Sequence, residues 1–392
     1  MKYDFITAPN RRNSGSSKWE GMKGLNPNVP ESVVPLSVAD MELKNPPEIM
    51  EGLKEYLDQA VLGYPCGTDS FYEAVESWTR RRYGWETKRE WLITTPGIVN
   101  AFHQAVLAYT EPGDGVILLT PVYYPFSFAV RRNDRKEVRC PLVNINGRYE
   151  IDYELLEEMA GKPENKLIIF CSPHNPVGRV WTRDELERVG RICIDNHVFI
   201  VSDEIHCELV MPGNKFTPFA AVNEDCKNNG VTLNSPTKNF NIAGLQIANI
   251  VCANPVWRRR IGRAINIFEV CDVNPFGPVA LEAAYNDSEN WMDELNEYLF
   301  ANYQLLCDTF AKELPQYEVM RLEGTYLVWV DVRPSGLSSD EVAEKLLKEG
   351  KVQVNSGTMY GQTTGEGYVR INIACPRATL IEGLKRMVDV LK

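Results

Sequence analysis

Between residues 91 and 251 the sequence repeats one unit: a short unbroken apolar run, a polar turn, then a stretch with helical periodicity. The clearest runs are Val116-Ile117-Leu118-Leu119, Lys166-Leu167-Ile168-Ile169-Phe170-Cys171 and Val198-Phe199-Ile200-Val201. A strand that is apolar on both faces must be covered on both faces, and alternation with helices supplies that cover. Trp91-Leu92-Ile93-Thr94, Gly230-Val231-Thr232-Leu233 and Ile247-Ala248-Asn249-Ile250-Val251 extend the series. A helix is expected from about Val99 to Tyr109. Another is expected after Thr182, whose side chain and that of Glu185 form a capping box. The pattern predicts an α/β fold with a mostly parallel sheet between helical layers.

After about Tyr285 the pattern changes. A long amphipathic helix is expected from Trp291 to about Leu314. The strands Tyr326-Leu327-Val328-Trp329-Val330 and Tyr368-Val369-Arg370-Ile371-Asn372-Ile373 then bracket a helix and a loop. A chain of 392 residues has room for two domains. The expected division is a large domain over residues 46–285 and a smaller α+β domain formed by 1–45 with 286–392.

Composition removes several function classes. Hydrophobic residues at 44% and charged residues at 24% suit a globular chain. A net charge of −11 argues against broad nucleic-acid binding, which wants a basic face. The short basic runs Arg131-Arg132 and Arg258-Arg259-Arg260 read as solvated helix faces. The ten cysteines form no CxxC pair, and the four histidines are scattered, so no metal site is expected. The opening Met1-Lys2-Tyr3-Asp4-Phe5 has no apolar signal core and no run approaches membrane-spanning length, which makes a reducing cytoplasm the expected home.

In an open parallel sheet, ligands bind beyond the carboxyl ends of the strands. Three such ends carry polar signatures: Ser172-Pro173-His174-Asn175-Pro176-Val177-Gly178, Ser202-Asp203-Glu204-Ile205-His206, and the segment Asn234–Leu245 with Lys238 at its centre. Singly, each has an ordinary reading: Asn175 as a turn residue, Asp203 as a helix cap, Lys238 as a surface lysine in a Ser/Pro/Asn-rich loop. Together they match what a pyridoxal phosphate (PLP) ring requires. A lysine amine forms a Schiff base with its carbonyl carbon, and a buried carboxylate keeps its pyridine nitrogen protonated. An amide donates to its phenolic oxygen. Its phosphate wants backbone amides at a helix N-terminus, which Thr95-Pro96-Gly97-Ile98-Val99-Asn100 offers, with hydroxyls from Ser235 and Thr237.

The set Asn175-Pro176-x-Gly178, Asp203-Glu204, Ser235-Pro236-Thr237-Lys238 and Arg370 resembles fold-type-I PLP enzymes, the aminotransferase class I/II superfamily, across essentially the whole chain. Val38-Ala39-Asp40-Met41, Gly63-Tyr64, Ser17-Lys18-Trp19, Ser202–His206 and Lys238-x-Phe240–Leu245 resemble its C–S lyase branch, which holds cystalysin and the MalY/PatB-type cystathionine β-lyases. The resemblance implies that Lys238 carries the cofactor and then acts as the base at Cα, with Asp203 and Asn175 in the roles above. It implies Tyr123 stacked on the ring, Ile205 beneath it and His206 beside it. It further implies Arg370 as a bidentate clamp on the substrate α-carboxylate, with Ala39 and Tyr124 on the substrate side. Tyr64 would reach the phosphate of the neighbouring subunit, and so a homodimer is implied. Ordinary packing is the alternative for Tyr64, Tyr123, Tyr124 and His206.

Two departures from the broad superfamily select a branch. A tyrosine often found three residues after the aspartate is here His206, and an arginine often found eight residues after the lysine is here Gln246. Both favour a lyase. The expected reaction is α,β-elimination of cystathionine, cystine, cysteine or another S-substituted cysteine, giving a thiol, pyruvate and ammonia. The alternative is an aminotransferase. A regulatory role through partner contacts is a third reading, and no charged tail or DNA-binding helix pair supports it.

Overall fold

The computed structural model describes residues 2–25, 29–30, 32–267 and 273–392; Cys271 lies outside them. Seven strands form the central sheet: β1 Leu92–Thr95, β2 Gly115–Thr120, β3 Lys136–Pro141, β4 Asn165–Cys171, β5 Phe199–Asp203, β6 Gly230–Asn234 and β7 Ala248–Val251. Their order is β1-β7-β6-β5-β4-β2-β3. All neighbours pair in parallel except β7, which runs antiparallel to both β1 and β6. An apolar run does not state its direction. Here the chain between β6 and β7 holds only the short helix Pro236–Asn239 and a single 3-10 turn, so it doubles back at the same end of the sheet.

The alternation read from the sequence is realised as two cores, one on each face. Ile168 of β4 packs with α2, Arg183–Asp195, through Leu186, Val189 and Cys193. Its neighbour Ile169 packs on the other face with α1, Ile98–Tyr109, through Phe102 and Ala105. The capping box at Thr182 and Glu185 is formed and starts α2. Strand β3 went unread for a physical reason: its pattern is charged and only Cys140 is buried, as suits a sheet edge that must not recruit another chain.

The C-terminal part has a three-stranded sheet, β8 Leu327–Asp331, β9 Asn355–Ser356 and β10 Tyr368–Asn372, in the order β8-β10-β9. It packs with α3, Glu289–Glu313, and α4, Arg377–Leu391. The N-terminal stretch joins this part, with Val34–Pro35 pairing in parallel with Val352–Gln353. Phe5, Leu36, Leu306 and Leu384 share one continuous core with Trp78 and Phe240, so apolar packing ties the two halves of the chain together. No described helix is long and apolar enough to cross a membrane.

Strand register delivers the chemistry. Cys171 pairs with Asp203, and Asp203 with Leu233, so β4, β5 and β6 end side by side. The loops carrying Asn175, His206 and Lys238 therefore leave from one edge.

Candidate active site

At that edge lies a cavity of about 420 Å³, within the size range of small-molecule sites. Its wall includes Gly97, Ile98, Val99, Tyr123, Asn175 and Asp203, together with Ile205, His206, Thr237, Lys238 and Ala39. Residues from six separate chain segments, picked out individually in the sequence, thus meet around one space.

The loop after β4 is shaped by Gly178. Its φ of 71° lies in the left-handed region, and an added Cβ would collide with the Leu322 side chain at 2.7 Å. The turn presents Asn175, whose Oδ1 accepts from Arg370 Nη1 at 3.1 Å. That bond orients the amide and leaves its NH2 group to donate. Lys238 belongs to the short helix begun by Ser235, whose Oγ accepts the Thr237 N–H at 3.0 Å. The Lys238 Nζ donates to Ala39 O at 2.6 Å.

Electrostatics at this edge are dominated by burial. Burial pushes the Asp203 carboxyl up to about 7, against the lowering effects of the Ile205 N–H at 3.1 Å and of Lys238. Burial likewise pulls Lys238 down to about 8, with Asp40 and Asp203 opposing that pull and Arg370 and Lys18 assisting it. His206 is pulled down to about 3 by burial and the charges of Lys238 and Arg370, so it is neutral. Among the described residues no ion pair reaches Asp203, Lys238 or Arg370.

Several buried polar atoms near this edge have no protein partner. Arg370 is buried, donates to Ser37 O and Asn355 Oδ1 at 3.1 and 3.2 Å, and lies over the Tyr360 ring at 4.7 Å; its Nε has no partner. The same is true of His206 Nδ1 and of the Tyr326 hydroxyl, which sits in the fields of Asp40, Arg370 and Tyr123. Buried polar groups are almost always satisfied, so these await a polar ligand. At the far wall α1 opens at Gly97 without a side-chain cap, leaving its first-turn amides free for an anion. An added Cβ at Gly97 would meet nothing within 4 Å. An unpaired acid, an amine, a guanidinium and an uncapped helix fit the ring nitrogen, carbonyl, substrate carboxylate and phosphate of a PLP–amino acid pair.

The family model described as aminotransferase class I and II matches residues 31–387. The chain belongs to the aminotransferase class I and II family. Among its members, the cystathionine beta-lyase PatB of Bacillus subtilis (strain 168) is 40% identical over 358 residues, covering 91% of this chain and 92% of its own length. Protein MalY of Escherichia coli (strain K12) is 28% identical, covering 100% and 99%. The crystal structure of cystalysin from Treponema denticola, which contains a pyridoxal 5'-phosphate cofactor, superposes with a TM-score of 0.97 at 40% identity, covering 100% of this chain and 99% of that one.

Within this aminotransferase-family frame, four sequence-derived residues stand off the cavity wall, and one of them, Arg370, reaches it through its bond to Asn175. Ser235 is buried behind it, its Oγ donating to Ile247 O and meeting Thr237 Oγ1, both at 2.7 Å. Tyr124 touches Tyr123 at 5.5 Å between ring centroids but lines a neighbouring cavity with Tyr360. Tyr64 is fully exposed on this chain. Conversely, sequence reading passed over Asn100, Cys171 and Ala243, which line the cavity, and named Gln246 there only as a departure. Tyr326 was read as part of an apolar strand, and nothing in its local pattern distinguishes it from a core tyrosine.

Proposed function

We propose that the chain is a PLP-dependent C–S β-lyase that removes a thiol from S-substituted cysteines such as cystathionine, cystine or cysteine, releasing pyruvate and ammonia. The observation that carries the reading is the set Lys238, Asp203 and Arg370, none with an ion-pair partner among the described residues: Lys238 and Asp203 line the cavity, and buried Arg370 holds Asn175 on its wall. Its resemblance to lyase relatives at 40% identity supports the choice of branch.

When bound, PLP supplies an electrophilic carbonyl carbon for the lysine amine and a ring that holds the electrons released at Cα. The protein's residues do the rest. Lys238, pulled down to about 8, is neutral in a useful fraction at ordinary pH and can take the Cα proton. Asp203 would keep a proton on the pyridine nitrogen, and Asn175, its Oδ1 engaged by Arg370, would donate through its NH2 group to the phenolic oxygen. Ile205 and Tyr123 line the cavity and would hold the ring between them. The first-turn amides of Ile98 and Val99, with the Thr237 hydroxyl, receive the phosphate beside Gly97. Arg370 orients the substrate through its carboxylate, with the Ala39 strap beside it, and the protonated Lys238 or the Tyr123 hydroxyl returns a proton to the departing sulfur. Tyr124 touches Tyr123 from outside the cavity and would act on the leaving group only through it.

Three companion readings belong to the same proposal. The chain divides into a large domain over 46–285 and a small one formed by 1–45 with 286–392. It acts as a homodimer in the cytoplasm. Tyr64, fully exposed beside exposed Val61 and Leu62, crosses to the neighbouring subunit's phosphate. Sedimentation at the mass of one chain would remove the dimer.

The reaction is tested by incubating purified protein with L-cystathionine or L-cysteine and no keto acid. Steady multiple-turnover release of pyruvate and ammonia is expected. Product that forms only after a keto-acid acceptor is added overturns the lyase in favour of an aminotransferase.

A further inference from the structure

The carbonyl that receives Lys238 belongs to Ala39, in an irregular strap between Val34–Pro35 and the helix Pro47–Gln59. Such a strap has no strand ladder or helix to hold it; alongside the Glu42 N–H donating to Ala374 O at 2.8 Å, side chains fix its position. Asn372 Nδ2 donates to Val38 O at 2.7 Å and to Asp40 O at 2.8 Å, on either side of Ala39. Asn241 takes the next residue, accepting from Met41 N–H at 2.9 Å and donating to Met41 O at 3.1 Å.

A further tie is a charged cluster. Lys18 is only 1% exposed, and its Nζ lies 2.9 Å from Asp40 O, 2.8 Å from Asp40 Oδ1 and 3.2 Å from Glu42 Oε1. Arg11 grips the same acids, 2.6 Å from Asp40 Oδ2 and 2.7 Å from Glu42 Oε1. Two cations thus balance two carboxylates. Apolar packing of similar volume anchors a strap at lower desolvation cost than buried charge. Here the charge sits beside the active-site lysine. The charged groups facing Lys238 are Asp40, Arg370, Lys18 and Asp203, with neutral His206 beside them.

We propose that Lys18 is a positioning residue for Lys238: it neutralises Asp40 and fastens the carbonyl of Ala39 that receives the Lys238 Nζ. The inference rests on Lys238 being the cofactor-bearing lysine. With Lys18 present, Asp40 is shared between two cations. Without it, Asp40 keeps only Arg11 and offers Lys238 a less compensated negative charge, which favours the protonated form of the lysine nitrogen and holds its proton to higher pH.

The test is a pH titration of the holoenzyme's visible absorbance, paired with thermal melting. Lys18→Met should raise the midpoint by about one pH unit, and Lys18→Arg should return it to within about 0.3 of the parent value. Asp40→Asn should lower the midpoint. A Lys18→Met protein that melts earlier yet titrates at the parent midpoint overturns the proposal, because Lys18 then only holds the strap. If Lys18→Met does not fold, Asp40→Asn decides: a lowered midpoint supports the proposal and an unmoved or raised one overturns it. If neither folds, the network is structural and the proposal falls. A visible band that survives Lys238→Ala is a different failure, that of the cofactor reading itself.

Discussion

Two buried charge clusters hang from the same loop and are built in opposite ways. Asn175 faces the cavity beside Lys238, Asp203 and Arg370, none of which has an ion-pair partner among the described residues. Four residues on, Arg179 is wholly buried and saturated. Its Nε meets Glu323 at 2.8 Å, its Nη2 meets both Glu185 oxygens at 2.7 and 2.9 Å, and its Nη1 reaches Tyr149 O and Glu150. Burial pushes Glu323 up, but the Arg148 hydrogen bond and the Arg179 charge outweigh it and hold the carboxyl below its ordinary value. At Asp203 burial outweighs the opposing Ile205 N–H and Lys238, and the carboxyl rises to about 7. A buried charge whose partners are all protein is architecture. One whose partner is missing is waiting for a ligand.

The comparison breaks most sharply under paired substitutions. Lys238→Ala should lower turnover by at least about 10³-fold and abolish the visible absorbance, with little loss of stability, since it removes an unpaired amine that burial disfavours. Arg179→Met should do the reverse. It strands Glu185 and leaves Glu323 to Arg148 and Arg321, and breaking a buried pair from one side costs about 3–5 kcal/mol, while turnover per folded molecule stays near the parent value. Turnover and urea unfolding measured on both proteins decide. A stable, inactive Arg179→Met or an unfolded Lys238→Ala would erase the distinction.

A smaller effect is expected at Arg370, which is buried like Arg179 but lacks an acidic partner. Lysine in its place keeps the charge and loses the planar fork, so Arg370→Lys should reduce kcat/KM by about 10- to 100-fold, mainly through KM, with the cofactor spectrum unchanged. Steady-state kinetics with cysteine would show this. A fall confined to kcat would mean that Arg370 does not hold the substrate carboxylate.

Sequence reading reached the cavity because strand ends announce themselves. An unbroken apolar run that stops at Ser202-Asp203 or Cys171-Ser172 has only one end at which polar chemistry can gather. The capping box of α2 was legible for a similar reason, since both partners lie within one turn. What stayed hidden depends on partners far apart in sequence. Lys18 meets Asp40 across 22 residues, Asn372 meets Val38 across 334, and neither pairing leaves a periodic trace. The direction of β7 was hidden too, because burial on both faces looks the same in either orientation. Ser235 shows the limit of composition: a hydroxyl near a phosphate site reads as a ligand, but here it caps a helix and ties down Ile247.

The finest test concerns pH. Lys238 must be uncharged to take the Cα proton, and its amine is pulled down to about 8 by burial, so kcat should rise with pH through about 8 and level off above it. An ordinary histidine, titrating near 6.5, would add its own limb on the acid side. His206 should not. It lies beside Lys238 and Arg370, and burial together with those two charges pulls it down to about 3, leaving it neutral across the whole assay range. His206→Gln should therefore shift the rising limb by less than about 0.3 pH unit, a change within the ordinary influence of a neutral neighbour. The saturated cluster supplies the control. Arg148→Met alters the partners of Glu323 without facing Lys238, so it should lower stability and leave the limb in place. If the limb instead followed His206→Gln downward by a full unit or more, the histidine would be carrying charge in the working enzyme. The proton at Cα would then be managed by a pair of groups, and the contrast between a charge-poor cavity and a charge-balanced scaffold would have to be redrawn around that pair.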